Sequence, residues 1–291
     1  MQTLYYALGG GYGHVTRARR VLRALGLAGE ATIVAGTAAL AESRNAGGIP
    51  TIAVPPELER SVDRHRRWLE ALLREQQVER LLVDTFPAGI HGELSGWATA
   101  GLRLDYVGRL LRWDAYRHAV PAAPPRFHSA LTVEELTPDH AAFLQVNSAE
   151  VLPLDLAPVA ALDSVDRRSS MEEPYALVVH SGPAAEVLEL IDHCRSLRAI
   201  DGTGERIVVI TAASIALPDD VERLDRFPAS PLFSAATRIV SAAGFNVILE
   251  GEPWRHKHEV VPFDRRFDDQ YLRAARRRSR MNGARIVTLP R

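Results

Sequence analysis

Cysteine is nearly missing from this sequence. Cys194 is the only one in 291 residues, which excludes an intramolecular disulfide and a cysteine-rich zinc site and suits a reducing compartment. An excess of one charge is missing as well. Lys and Arg number 35 against 36 Asp and Glu, so nothing in the balance calls for nucleic acid as a partner. No stretch reaches the roughly 18 consecutive apolar residues of a membrane span, and no basic, apolar and small-residue series opens the chain. The expectation is a soluble cytoplasmic protein whose membrane contact, if any, is peripheral; the sequence sets no oligomeric state.

Two nucleotide-binding signatures are absent in an informative way. No Gly-Lys-Ser/Thr ending completes a P-loop. A dinucleotide fingerprint wants a third glycine and an acidic residue at the end of the second strand. Here His14 stands where that glycine would be, and the second expected strand, residues 31–35, runs into Gly36 and Thr37. NTPase and NAD chemistry are both disfavoured.

What is present begins with residues 1–25. An apolar run over 4–8 predicts a strand. Gly9, Gly10, Gly11 and Gly13 form a turn, and Val15, Ala18, Val21, Leu22 and Leu25 recur on one helix face. A glycine turn at a helix N-terminus favours an anion, because the backbone can be approached closely and the first amides are unpaired. Phosphate is the first ligand to consider, with His14 at the helix start and Arg17 one turn further on.

The rest of the first half alternates expected helices (38–45, 62–77) and strands (51–54, 80–84, 104–107, 129–133), the pattern of a parallel sheet with helices on both faces. Ligands of such sheets bind beyond the carboxyl ends of the strands, which places Asp84 and the loop bearing His91 and Glu93 on the same edge as His14. Asp84 reads equally as the cap of a following helix. Residues 151–174 are rich in proline, serine and charge without a sustained period, as in a linker. The second half repeats the alternation. A strand at 175–179 turns through Ser181 and Gly182 into a helix at 184–194, and further strands are expected at 206–211, 238–241 and 286–289. The fold class is therefore α/β, with two facing Rossmann-like domains and a cleft between them: an N-terminal domain over 1–155, a linker over 156–174 and a C-terminal domain over 175–291.

Residues 239–278 carry the second motif. A strand turns through Ala243 and Gly244 into a short helix with Asn246 and Glu250; a loop leads to Pro262 and Phe263, and Asp268, Asp269 and Gln270 precede an alanine-containing helix. Asp268 reads as the N-cap of that helix. The arginines at 273, 276, 277, 278 and 280 spread around its circumference and read as a solvated surface. His256 and His258 supply only two candidate ligands, so no metal site is expected.

The Gly-x-Gly-His-x-x-Arg loop and this ordered second motif together resemble glycosyltransferases of the GT-B architecture, among them the peptidoglycan N-acetylglucosaminyltransferase family and related bacterial predicted glycosyltransferases. The resemblance covers about residues 3–289. It implies a nucleoside-diphosphate sugar as co-substrate, with UDP-sugar foremost, no cofactor and no metal. The donor would be held by Gly11, Gly13, Arg17, Ser181, Gly182, Ala243, Gly244, Asn246, Glu250, Asp269 and Gln270. His14 would be the general base on an acceptor hydroxyl, with Asp84 or Glu93 orienting the acceptor or taking the base's place. A nucleotide-sugar hydrolase with the same loop, in which the histidine activates water, and a non-catalytic binding protein on the same scaffold are the alternatives.

Overall fold

The computed structural model describes residues 2–42, 44–58, 61–97, 101–120, 123–157 and 174–286, with 281–286 as backbone only. The chain divides into two compact units. One comprises residues 1–157 with 266–268, and the other 158–265 with 269–291. The expected linker over 156–174 falls almost wholly outside the described residues, as do 287–289 of the last expected strand; Ile286 itself ends a helix.

The first unit is a seven-stranded sheet of β1 (Thr3–Ala7), β2 (Ala31–Ala35), β3 (Thr51–Ala53), β4 (Arg80–Asp84), β5 (Arg103–Gly108), β6 (Phe127–Thr132) and β7 (Ser148–Pro153). Its spatial order is β3-β2-β1-β4-β5-β6-β7, and every pairing is parallel. The helices are α1 (Tyr12–Ala24), α2 (Ala38–Ala41), α3 (Val62–Glu75), α4 (Trp113–Ala119) and α5 (Pro138–Asn147). Side chains alternate along β1. Leu4, Tyr6 and Leu8 join Leu69, Leu72 and Leu73 of α3 in one apolar cluster, so Tyr5 lies on the opposite face. The chain runs outward from β1 to β3 in one direction and from β4 to β7 in the other, which makes the β1–β4 boundary a topological switch point where ligand sites form.

The second unit pairs β8 (Tyr175–Val179), β9 (Arg206–Ile210), β10 (Val221–Arg223), β11 (Arg238–Ala242) and β12 (His258–Val261) in the parallel order β10-β9-β8-β11-β12. Its helices are α6 (Ala184–Asp201), α7 (Phe245–Gly251) and α8 (Gln270–Ile286). Val187, Leu190, Ile191 and Cys194 of α6 pack on Ala176, Val178 and Val240. The switch point here lies between β8 and β11.

Three strands depart from the expected pattern. Residues 148–153 form the edge strand β7, which runs into the 151–174 stretch that reads as a linker, because this strand is largely solvent-exposed and carries no apolar alternation. β10 has only three residues, two of them exposed. β12 lies within what reads as a loop, its four residues taken into the sheet through pairing with β11. Among the described residues no helix is long and apolar enough to cross a membrane.

Candidate active site

The glycine turn after β1 delivers α1 with Gly11 as its N-cap in extended backbone (φ −132°, ψ 156°). His14 sits on the first turn and Arg17 three residues on, on the same helix face. The adjacent strand β4 ends in Asp84, and its carboxylate receives this pair. His14 Nδ1 lies 2.7 Å from Asp84 Oδ2. Arg17 donates from Nε to Oδ1 at 2.7 Å and from Nη2 to Oδ2 at 2.5 Å. The Tyr5 hydroxyl, from the same face of β1, donates to Oδ1 at 2.9 Å. Asp84 therefore caps no helix; its carboxylate is bound by side chains of β1, α1 and its own turn. Burial works against its charge, yet the Arg17 guanidinium and the bonds from His14 and Arg17 hold its carboxyl well below the usual range.

The next residue, Thr85, has φ +67°. A β-branched residue in this left-handed region is strained and needs surroundings that over-determine it. They are visible: Thr85 N donates to Val107 O at 3.0 Å, its carbonyl accepts from the Tyr106 hydroxyl at 2.6 Å, and Oγ1 accepts from Arg17 Nη2 at 2.9 Å and Arg109 Nε at 3.2 Å. Arg109 is paired in turn with Asp268. Sequence reasoning misses Tyr5, Thr85 and Arg109. Parallel pairing of β1, β4 and β5 brings Tyr5 and Arg109 to the site from distant sequence, and Thr85, although next to Asp84, is singled out only by its backbone and its partners.

These contacts fix the state of His14. Arg17 Nη2 also lies 3.1 Å from His14 Nδ1, but its two hydrogens are directed to Asp84 and Thr85. A bare Nδ1 lone pair 2.7 Å from a carboxylate oxygen would be repulsive. Nδ1 therefore carries the proton and donates to Asp84, which leaves Nε2 as a lone-pair acceptor with no hydrogen bond among the described residues. The ring is 13% exposed and stacks on Phe86 with centroids 6.0 Å apart. Burial lowers its pKa below the ordinary 6.5, with Asp84 opposing and Arg17 and Arg109 assisting. Gly9 forms the floor. At φ +150° a Cβ there would fall 2.1 Å from His14 Nε2. Gly9→Ala is expected to displace the imidazole and lower activity about 10²-fold, with a stability loss of more than about 1 kcal/mol. Initial rates beside thermal melts check this, and a variant that melts lower but keeps its rate would contradict it.

Glu93 belongs elsewhere. It accepts from the Tyr6 hydroxyl at 2.9 Å, and Tyr6 also meets His65 Nε2 at 2.8 Å. The amides of Ile90 and His91 complete its bonds at 3.2 and 2.9 Å. Because Tyr5 and Tyr6 point to opposite faces of β1, the network of Glu93 is separate from that of Asp84. Glu93 is fully buried and shapes the loop in front of it. The Arg- and Trp-bearing segment that follows β5 packs inward, with Trp113 and Tyr116 buried beside Phe86.

In the second unit the two turns at the switch point are differently furnished. After β8, Ser181 is exposed. Gly182 faces His180 and Glu186, whose carboxylate lies 3.1 Å from where a Cβ would stand. Glu186 sits in the first turn of α6, bonded to His180 Nε2 at 2.8 Å and paired with Arg265. A side-chain carboxylate thus already stands at that helix end, where anions are favoured. The turn after β11 is more open. Among the described residues only Val247 would come within 4 Å of a Cβ at Gly244, at 3.8 Å. Gly244 caps α7 in extended backbone, and Ala243 O accepts from Arg273 Nη1 at 2.9 Å. Asn246 is half-buried on the first turn, and Glu250 is buried rather than solvated.

Several second-motif readings are corrected. Asp269, not Asp268, is the cap: its Oδ1 accepts from Leu272 N at 2.9 Å. Gln270 Oε1 accepts from Phe263 N at 3.0 Å and pins the Pro262–Phe263 turn. Arg273 and Arg277 are buried rather than solvated, at the i, i+4 spacing that turns one helix face inward. Arg277 Nη1 lies 3.1 Å from His258 Nδ1, and His258 Nε2 lies 2.7 Å from Ser241 Oγ. His258 is thereby committed to the interior, and its pKa is pushed down to about 3 by burial and Arg277.

No protein-family model matches this sequence, and no curated protein matches it. The match is in fold, to glycosyltransferases of the GT-B architecture. Spinosyn rhamnosyltransferase SpnG, solved with thymidine diphosphate, superposes with a TM-score of 0.61 at 16% identity over 96% of this chain and 84% of its own. The glycosyltransferase SsfS6 of Streptomyces sp. SF2575 gives 0.58 at 16% identity over 95% of this chain and 85% of its own. UGT2 of Phytolacca americana, solved with UDP-2-fluoro-glucose and pterostilbene, gives 0.59 at 14% identity over 94% and 82%.

Proposed function

We propose that this protein is a glycosyltransferase that moves a sugar from a nucleoside-diphosphate sugar to an acceptor hydroxyl, with His14 as general base. The observation that carries the reading is the His14–Asp84 pair at a switch point, which leaves Nε2 deprotonated and without a hydrogen-bond partner among the described residues. In the reaction, His14 Nε2 takes the acceptor proton as the oxygen bonds to the anomeric carbon, the bond from that carbon to the β-phosphate oxygen breaks, and the nucleoside diphosphate leaves. Asp84 keeps the imidazole in its reactive tautomer and stabilises the imidazolium. Glu93 shapes the acceptor-side loop.

The donor is assigned to the second unit. The turn through Ala243 and Gly244 offers amides to the diphosphate, Asn246 lies beside it, and Glu250 accepts from the ribose hydroxyls. Gly11 and Gly13 form the first unit's own candidate phosphate turn, and in the second unit Asp269 and Gln270 hold the start of α8. The proposed reaction uses no cofactor or metal, and the proposed setting is the cytoplasm. The two motifs favour a UDP-sugar and kinship with the peptidoglycan N-acetylglucosaminyltransferase family, while the thymidine diphosphate of SpnG makes a dTDP-sugar the other donor to try.

Calorimetric titration with UDP, dTDP, GDP, CDP and ADP, beside Glu250→Ala, tests the donor site. Micromolar binding of one diphosphate, weakened at least about tenfold in the variant, is the expected result, since hydrogen bonds from two ribose hydroxyls to a buried carboxylate are worth at least that much. A folded protein that binds none of the five removes the reading.

A further inference from the structure

We infer that Arg17 is a positioning residue for His14, acting through Asp84, and is not a ligand of the diphosphate. The inference rests on the reading of His14 as the base, and it reverses what the glycine loop suggests on its own. Arg17 is almost completely buried. At least three of its five N–H donors are engaged, with Nε on Asp84 Oδ1 and Nη2 on both Asp84 Oδ2 and Thr85 Oγ1. The guanidinium is planar, so these bonds fix its orientation. To turn Nε or Nη2 to a phosphate it would have to abandon a buried carboxylate, which is strongly unfavourable, and the residue is only 2% exposed.

The strained turn at Thr85 gives the arrangement its purpose. With φ at +67°, Thr85 presents Oγ1 to the second hydrogen of Nη2, the one that would otherwise point at His14 Nδ1, 3.1 Å away. Thr85 thus prevents Arg17 from driving the imidazole into the wrong tautomer. Arg17 in turn compensates Asp84, which would otherwise draw a proton onto His14 and convert the base into an imidazolium. The charged and titratable groups around the ring are Tyr5 from β1, Arg17 from α1, Asp84 from β4 and Arg109 beyond β5, with Asp268 paired to Arg109.

Long-range nitrogen–proton NMR on histidine-labelled full-length protein reads both tautomer and titration of His14, with His14→Gln supplying the assignment. In the wild type His14 is expected as the neutral Nδ1–H form at neutral pH. An Nε2–H ring or an imidazolium there overturns the inference, whether or not any variant folds. In Arg17→Gln the His14 titration is expected to move upward until the imidazolium predominates at neutral pH. Arg17→Lys, which keeps the charge but cannot bridge Asp84 and Thr85, is expected to restore the neutral ring with mixed tautomers. An unchanged His14 in folded Arg17→Gln overturns the inference. If UDP or dTDP binds, the Arg17 Nε–H signal of the wild type should stay in place, and a large displacement would mark Arg17 as a phosphate ligand. If none of the five diphosphates binds, the donor reading fails, while the His14 measurements still decide the role of Arg17.

Discussion

Replacing His14 by glutamine is expected to lower the transfer rate by about 10²- to 10⁴-fold, the usual contribution of a general base, with little change in nucleotide affinity. Glutamine retains polarity and approximate size, so the floor at Gly9 and the packing on Phe86 are kept while the titratable lone pair is removed. The pH profile supplies a second signature. Because burial depresses the His14 pKa below 6.5, the wild-type rate should climb along an acid limb beneath that value and be level through neutrality. The glutamine variant should lack the limb. Asp84→Asn should cost at least as much rate, since an amide nitrogen turned toward the ring forces the Nε2–H tautomer. It should also destabilise the first unit by roughly 3–5 kcal/mol, the penalty for leaving a buried guanidinium without its carboxylate. Running both variants with and without acceptor separates transfer from hydrolysis: a hydrolase would show the same losses on the nucleotide sugar alone. A His14→Gln protein that keeps its rate and its acid limb would remove His14 from the chemistry.

The pair that carries this prediction is only half legible in the sequence. Positions 31–35 and 80–84 read as strands and are β2 and β4 to the residue, because buried parallel strands are short apolar runs with clear ends. The switch-point rule then brings Asp84 to the edge where His14 stands. The other partners of Asp84 are not legible, because parallel register, not local sequence, places Tyr5 against it, and nothing local marks the left-handed turn at the adjacent Thr85. Arg17 misleads for a related reason. A glycine turn followed by an arginine suggests an anion, and the anion present is a protein carboxylate. The same substitution occurs after β8, where Glu186 stands at the helix end. Edge strands escape a reading of the sequence because one exposed flank leaves them without apolar alternation. Assigning the cap to Asp268 rather than Asp269 is a one-residue error that periodicity cannot resolve. It matters because Asp268 is the partner of Arg109.

Two buried histidines should make both units acid-sensitive before any carboxylate titrates. His140 in the first unit stacks on Trp113 at 4.4 Å and meets the Tyr106 hydroxyl through Nε2 at 3.1 Å; burial and Arg109 push its pKa down to about 3. His258 in the second unit stands at the same value, through burial and Arg277. Between the ordinary value of 6.5 and about 3, the unfolded chain takes up a proton at each site that the folded unit refuses. The unfolded state binds more protons there, so stability rises with pH across this window and is lost as pH falls through it, by about 1.4 kcal/mol per pH unit for each histidine. Asp84 acts in a lower window. Its folded pKa is depressed, so its contribution is complete above the usual carboxylate range and declines only beneath it. Amide exchange, which follows the two units separately, should therefore show both weakening between neutral pH and pH of about 4.5. His258→Gln should be less stable at neutral pH, since Ser241, Arg277 and the space beside Gly251 are fitted to the imidazole. Its second unit should nonetheless lose stability less steeply on acidification, by about 1.4 kcal/mol per unit, while the first unit keeps the wild-type slope. Equal slopes in the two proteins would mean that His258 is protonated in the folded state. The tautomer that passes a hydrogen from His258 Nε2 to Ser241 while Nδ1 accepts from Arg277 would then be wrong.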